Sequence, residues 1–249
     1  MNSEQFVYGR NAVHELLEHR HGNISKIYIR NNVKGGAIQD LVNMASSCRV
    51  PVQRVPGKKL ADMVGSVNDQ GVVASVSEAA YIEMEDWLEQ SDISLNPVII
   101  ALDEIEDPHN FGAVVRTALA CGIDAVMVPK HRQAPMSGGV FKASAGAILR
   151  MPVIRVVNLN QSLMTLKKSG FWILGTNMES GEPYWHQDYN IPMVVVLGSE
   201  EKGIRKKTKE HCDLFVHIPM LNDVESLNAS VSSALISYEI LRQRQAKPE

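Results

Sequence analysis

The spacing of apolar residues changes period several times along this chain. Between Asn11 and Glu18, Ala12, Val13, Leu16 and Leu17 fall on one helical face, and the run Ile24 to Ile29 then alternates as a half-buried strand does. Helical spacing returns at Ala37 to Ser47, followed by a strand-like run at Val50 to Val55, a short helix at Lys58 to Val64 and a strand at Gly71 to Val76. These elements predict a small α/β sandwich of about 75 residues, an ordinary size for a small domain. From residue 96 the pattern lengthens. Apolar runs at Val98 to Leu102, Ala125 to Val128, Val153 to Val156, Trp172 to Gly175, Val194 to Leu197 and Leu214 to Ile218 read as strands covered on both faces, where alternation is lost. Helical stretches at Phe111 to Ala120, Leu159 to Lys168 and Ile204 to His211 separate most of them, and a last amphipathic helix runs from Leu227 to Arg242. Strands alternating with helices predict a mostly parallel sheet flanked by helices, with ligands outside the carboxyl ends of its strands.

Composition narrows the possibilities. With 249 residues, 45% hydrophobic and 21% charged, the chain is neither disordered, collagen-like nor a coiled coil. Its 25 Lys+Arg against 28 Asp+Glu leave a net charge of −3, so a nucleic acid would have to be met by local patches rather than by the field of the whole protein. Cys48, Cys121 and Cys212 form no C-x-x-C pair and read as reduced thiols. No signal-peptide pattern opens the chain and no apolar run is long enough to span a bilayer, so a cytoplasmic protein with no membrane partner is expected.

Charge also divides the chain. Residues 1–77 carry nine Lys/Arg against six Asp/Glu, residues 78–95 carry six acids and no base, and residues 96–249 balance. The acidic stretch reads as a linker or a short solvated helix, giving domains at 1–77 and 96–249 joined by 78–95. Arg10, Lys26, Arg30, Lys34, Arg54, Lys58 and Lys59 of the first domain are candidates for an RNA face, though charge alone favours an ordinary solvated surface.

The chemistry lies in loops that follow strands. After the first strand of the second domain, Asp107-Pro108 stops the extended run, Asn110 is a candidate helix cap, and Arg116 shares a helix face with Gly112. An amide and a guanidinium at a strand's carboxyl end can grip a phosphate and a sugar hydroxyl. The acids between 103 and 107 fit no standard metal loop. A second loop, Gly198-Ser199-Glu200-Glu201-Lys202-Gly203, has glycines spaced as in a P-loop but lacks its Lys-Ser/Thr, and its carboxylates oppose phosphate. Lys202, Arg205, Lys206, Lys207 and Lys209 follow it as the densest cationic cluster, a place for a polyanion to lie. In the third loop Ser226 is a candidate cap for the last helix, and Asn228, Ser230, Ser232 and Ser233 allow close approach. No H-E-x-x-H, Cys/His cluster or G-x-G-x-x-G is present, so neither a metal nor a dinucleotide is predicted.

In this order and at these strand ends, the loops resemble the SpoU (TrmH) branch of the SPOUT methyltransferases. Asn110, Gly112 and Arg116 match its Asn-x-Gly-x-x-x-Arg motif, and Gly198, Glu200 and Gly203 match Gly-x-Glu-x-x-Gly. Ile218-Pro219-Met220 with Ser226-Leu227-Asn228 matches the third motif. Tyr8-Gly9 near the start and Gln70-Gly71-Val72-Val73-Ala74 extend the likeness through the small domain. Glu201 and Asn222 stand where family members often have glycine.

The resemblance implies a small N-terminal RNA-binding domain and a C-terminal, mostly parallel sheet tied in a trefoil knot. It implies a homodimer that uses S-adenosyl-L-methionine to methylate a guanosine 2′-hydroxyl in 23S ribosomal RNA, or a ribose of tRNA. A non-catalytic RNA-binding or ribosome-assembly protein is the third reading, and one with no need of all five motif side chains. Thr176, Asn177, Leu197, Gly198, Gly203, Ile218, Met220 and Leu227 would hold the cofactor, its adenine largely through backbone groups. Arg116, Asn110, Glu200, Ser226 and Asn228 would serve catalysis. A guanidinium holds its proton firmly, so Arg116 is read as orienting the hydroxyl and its phosphate, with the other four orienting Arg116 and the ribose.

Overall fold

The computed structural model describes residues 5–76, 81–177, 181–222 and 226–245, so residues 78–80 of the acidic stretch and 223–225 of the third loop lie outside the described residues. The chain forms two compact units. One holds the described residues up to Val76 together with Pro135–Arg150, and the other holds Tyr81–Ala134 and the rest of the chain from Met151.

The first unit runs β1 (Gln5–Tyr8), α1 (Arg10–Arg20), β2 (Ile24–Arg30), α2 (Gly36–Ser47), β3 (Val52–Val55), α3 (Gly57–Val64) and β4 (Val72–Val76). The apolar pattern does not predict β1, a four-residue strand. The sheet order is β1-β4-β2-β3, with β4 antiparallel to both neighbours and β3 parallel to β2. Val7, Ile27, Ile29, Val72 and Ala74 are buried on one face of the sheet, and Leu16, Leu17, Ile38 and Leu41 of α1 and α2 are buried with them. The Tyr8-Gly9 and Gln70-Gly71 motifs meet where Arg10 donates its backbone N–H to Gln70 Oε1 at 2.9 Å.

The second unit contains α4 (Met84–Gln90), β5 (Val98–Asp103), α5 (Pro108–Ala120) and β6 (Ala125–Pro129). The chain then contributes α6 (Gly138–Ala143) to the first unit before returning with β7 (Val153–Val156), α7 (Leu159–Lys168), β8 (Trp172–Thr176), β9 (Glu182–Pro183), β10 (Met193–Gly198), α8 (Lys206–Lys209), β11 (Leu214–His217) and α9 (Ala229–Gln245). All seven strands are parallel, in the order β7-β6-β5-β10-β8-β11-β9. Inserting β10 between β5 and β8 brings four loop-bearing strands side by side, their carboxyl ends at one edge. Every residue of β5 is buried, as a strand covered on both faces requires.

Two stretches differ from the pattern-based division. The acidic segment is not wholly a linker: Met84 and Trp87 of α4 are buried against Ile154, Leu163 and Phe171, and Ile82 donates its N–H to Val153 O at 2.9 Å. Its acids occupy the solvent side of a helix whose apolar side is core. Pro135–Arg150, within the span expected as one catalytic domain, belongs instead to the first unit.

Candidate active site

Three loops at the carboxyl edge of the parallel sheet are joined by side chains. The cap predicted at Asn110 falls instead on Asp107, whose carboxylate accepts from His109 N–H at 2.9 Å, with Pro108 opening α5. Asn110 thus sits in the first turn with its amide free to reach outward, and Nδ2 donates to Glu200 Oε1 at 2.5 Å. The same oxygen accepts from Asn228 Nδ2 at 3.2 Å and from Ala229 N–H at 3.3 Å, while Asn228 Nδ2 also donates to Asn110 Oδ1 at 2.9 Å. One residue from each motif therefore enters a single hydrogen-bonded group. Asn228 Oδ1 accepts from Ser230 N–H at 2.9 Å, taking the capping role on α9 that the spacing gave to Ser226. Arg116 is exposed farther along α5 and makes no hydrogen bond or ion pair among the described residues. Neither it nor Ser226 joins the group.

The glycines of the second loop have distinct tasks. A Cβ at Gly198 would lie 2.0 Å from the carbonyl carbon of Gly203 and 2.2 Å from the nitrogen of Ile204, so no larger residue fits. Gly203 takes φ +60°, the left-handed region that side chains disfavour, and its N–H closes the turn on Ser199 O at 2.8 Å. Glu201 is not among the residues of positive φ, so the turn makes no demand for glycine there. Asn222, the other departure from the family pattern, does take φ 59°, and asparagine is one of the few side chains that tolerate it.

A fastening between strand ends escapes sequence reasoning. Asp103, wholly buried at the end of β5, accepts from Arg205 N–H at 3.0 Å and from Arg205 Nε at 2.7 Å. The guanidinium also meets Glu104 at 3.2 Å, which Arg132 pairs at 3.1 Å. Arg205 is thus a tether for the glycine turn rather than part of a basic helix. The helix expected from Ile204 to His211 shrinks to the four residues of α8. Asp103 ending an apolar strand was the visible signal, but its partner lies 102 positions away.

Beside the glycine turn is a cavity of about 380 Å³, in the size range of small-molecule sites. Thr176 and Asn177 follow from β8, Leu197 and Gly198 from β10, and Gly203 from the turn. Ile218 and Met220 after β11 and Leu227 before α9 complete the eight residues assigned to a cofactor by resemblance, and all eight line the cavity. Glu200 and Ser226 line it too, whereas Asn110, Arg116 and Asn228 do not. Lys202, Lys209 and His217, which sequence reasoning does not assign to the pocket, add polar groups to its wall. Burial pushes the Cys212 thiol up to about 12, which removes it as a nucleophile near neutrality. Among the described residues, the side chains grouped closely enough to share a metal are Glu15, Glu18 and His19 on α1, none of which lines the cavity.

Comparison with known proteins places the chain in a family. Residues 97–238 match the model of the SpoU rRNA Methylase family, and residues 6–82 match that for RNA 2′-O ribose methyltransferase substrate binding. A putative TrmH family tRNA/rRNA methyltransferase of Staphylococcus saprophyticus is 40% identical over 97% of this chain and 96% of its own. Bacillus subtilis YacO, described in the same words, is 39% identical over 96% of each chain. The SpoU methyltransferase AviRb from Streptomyces viridochromogenes, crystallised with the cofactor AdoMet, shares the fold with a TM-score of 0.82 over 98% of this chain and 92% of that one, at 21% identity. No helix among the described residues is long and apolar enough to cross a membrane. By family model and by full-length relatives alike, the chain belongs to the SpoU (TrmH) family of RNA methyltransferases.

Proposed function

We propose that the protein methylates the 2′-hydroxyl of a guanosine in 23S ribosomal RNA, using S-adenosyl-L-methionine bound beside the glycine turn. The observation that carries this reading is the convergence of Asn110, Glu200 and Asn228 next to a cavity lined by Gly198, Ile218 and Leu227. The residues suit the cofactor. Backbone groups at Leu197, Gly198, Ile218 and Met220 would read its adenine, and the tight approach at Gly198 supports a wall built from main chain. When bound, S-adenosylmethionine supplies a methyl group on a cationic sulfur.

This chain's own residues then position the nucleophile. Arg116, exposed and without a partner among the described residues, donates to the ribose hydroxyl and its neighbouring phosphate; a guanidinium is too reluctant an acid to serve as the base. Glu200, fixed by donors from the two other motifs, with Asn110, Asn228 and Ser226, shapes the ribose side. A second copy of the chain supports this arrangement: Val231 and Tyr238 on one face of α9 are 46% and 57% exposed, an apolar strip suited to a homodimer. A trefoil knot formed by the loops around the cavity belongs to the same proposal, as does a cytoplasmic location alongside the RNA.

A tRNA substrate is the second reading, supported by the tRNA/rRNA wording attached to the curated relatives; the description of the matched catalytic family favours ribosomal RNA. Incubating the protein with labelled methyl donor and total RNA from cells lacking its gene decides between them. The expected product is 2′-O-methylguanosine at one position of 23S RNA. Label in tRNA would transfer the assignment to the second reading, and a methyl on a base would overturn ribose chemistry.

A further inference from the structure

We propose that the first unit captures an unstacked RNA base in a cleft between β1, α3 and the segment that precedes α6. The inference rests on the reading of RNA as substrate and adds where, and by what contacts, a base is held. One sheet face carries the relevant side chains: the register sets Tyr8 beside Val73 and Val73 beside Tyr28, and sets Phe6 beside Ser75 and Ser75 beside Lys26. Helix α3 covers part of that face through Leu60, leaving Phe6, Tyr8, Tyr28, Met63 and Val64 only partly buried. Phe6, Tyr8, Met63, Val64, Pro135 and Ser137 line a cleft of about 300 Å³, all within the same compact unit. Its walls are aromatic rings, a thioether and a proline, the flat and polarisable surfaces on which bases stack. Two hydroxyls supply a polar edge. Ser137 stands at the N-cap of α6 without a side-chain cap bond, and neither its hydroxyl nor that of Tyr8 has a hydrogen bond among the described residues.

Charge identifies the occupant as nucleic acid. Lys26 and Lys59 place their Nζ atoms 5.9 and 5.7 Å from the centre of the Tyr28 ring, and neither has a carboxylate partner among the described residues. Three arginines of this unit are engaged instead: Arg10 with Gln70, Arg30 with Asp69 at 2.7 Å, and Arg54 with the carbonyls of Asn31 and Val33. Two ammonium groups without carboxylate partners, on the sheet face that also carries the cleft's aromatic residues, match a ligand that alternates planar rings with negative charges. Single-stranded RNA has that pattern.

The test compares two decamers of equal charge, oligouridylate and its abasic ribose-phosphate counterpart, binding to the full-length protein. Wild type should prefer the base-bearing decamer roughly tenfold, the range of one base–aromatic stack. Phe6→Leu and Tyr8→Leu, which keep apolar bulk, should lose that preference while binding the abasic decamer as before. Lys26→Gln with Lys59→Gln should weaken both decamers and flatten the logarithmic salt slope by about 1.4. Affinity for S-adenosylmethionine, measured by calorimetry, reads the second unit alone and should not move. If both leucine variants keep the wild-type preference, the cleft is not a base site, even with RNA methylation intact. A change in oligomeric state without a change in RNA affinity would assign the cleft to a second copy and overturn the proposal. Loss of all methyl transfer by wild type, with the decamer preference retained, would instead count against the proposed function alone.

Discussion

The two units use charge in opposite ways. In the second, the groups that fasten the loops to one another are paired: Asp103 and Glu104 bind Arg205, Glu104 also binds Arg132, and Glu200 is tied to Asn110 and Asn228. Arg116, like Lys202 and Lys209 on the cavity wall, is left without a side-chain partner among the described residues. In the first unit Arg10, Arg30 and Arg54 are tied down while Lys26 and Lys59 lie over a tyrosine ring without carboxylate partners among the described residues. Chemistry at one atom demands groups fixed before the substrate arrives. Holding a flexible polyanion needs unneutralised charge and flat surfaces, with less demand on exact placement. Pairing thus marks where geometry matters, and its absence marks where substrate is expected.

The strongest challenge to that division is to cut the chain between the units. Removing the small domain at residue 77 is expected, from the charge pattern alone, to leave an intact catalytic half. The structure predicts otherwise, because Val140, Phe141, Ile148 and Leu149, each no more than 3% exposed, belong to the first unit and would lose their cover. At roughly 1.5–3 kcal/mol for each buried side chain, the loss rivals the whole stability of a domain. A chain beginning at Tyr81 should therefore aggregate or bind a hydrophobic dye, and replacing 135–150 by a short Gly/Ser linker should restore a soluble protein. An unmodified Tyr81–Glu249 fragment that stays monodisperse and unfolds at the wild-type temperature would refute the assignment of this segment.

Next in size is Arg116→Ala. It should lower methyl transfer by about 10²–10³-fold, the usual cost of one transition-state donor, with little change in calorimetric cofactor affinity because Arg116 does not line the cavity. Retention of most turnover would mean that Arg116 is merely solvated.

How much could be read from residues alone also differs between the units. The Asn110–Arg116, Gly198–Gly203 and Ile218–Asn228 motifs were legible because backbone geometry fixes their spacing: a turn that admits only glycine at 198 cannot be written another way. The parallel strands were legible because burial on both faces leaves uninterrupted apolar runs such as Val194 to Leu197. The tether from Asp103 to Arg205 was not, since a pair 102 positions apart leaves no periodic trace. Nor was the excursion of Pro135–Arg150, because an apolar helix looks the same whichever unit covers it. The candidate base cleft is hidden for a related reason: Phe6 and Tyr28 become neighbours on a face only through a third strand, β4.

The tether itself offers a more moderate test. Arg205→Ala leaves a wholly buried carboxylate with one backbone donor in place of a guanidinium. Breaking a buried pair typically costs 3–5 kcal/mol; with Arg205 42% exposed, about 2–3 kcal/mol is expected in denaturant unfolding. Because Arg205 anchors the turn that walls the cavity, cofactor affinity should fall as well, in contrast to Arg116→Ala. Arg205→Lys should recover the charge but not the two-pronged contact, giving an intermediate result. Unchanged cofactor affinity in Arg205→Ala would show that the turn holds its shape without the tether.

The smallest expected effect concerns Asn222, where the family resemblance expects glycine and the backbone is left-handed at φ 59°. If that conformation is the reason for the resemblance, the residue type should matter only through φ. Asn222→Gly gains conformational ease in the folded state but loses about 0.5–1 kcal/mol to the more flexible unfolded chain. The two nearly cancel, so a shift below about 0.5 kcal/mol is expected. Asn222→Ala keeps a Cβ without the local hydrogen bonding that helps asparagine there, and should cost about 1 kcal/mol. Cofactor affinity should follow the same order, glycine equal to wild type and alanine weaker, because Met220 lies two residues away on the cavity wall. Were alanine as good as asparagine, backbone handedness would not be what the family's glycine supplies. Glu201, outside the left-handed region, is the internal control: Glu201→Ala should leave the turn and its affinity unchanged.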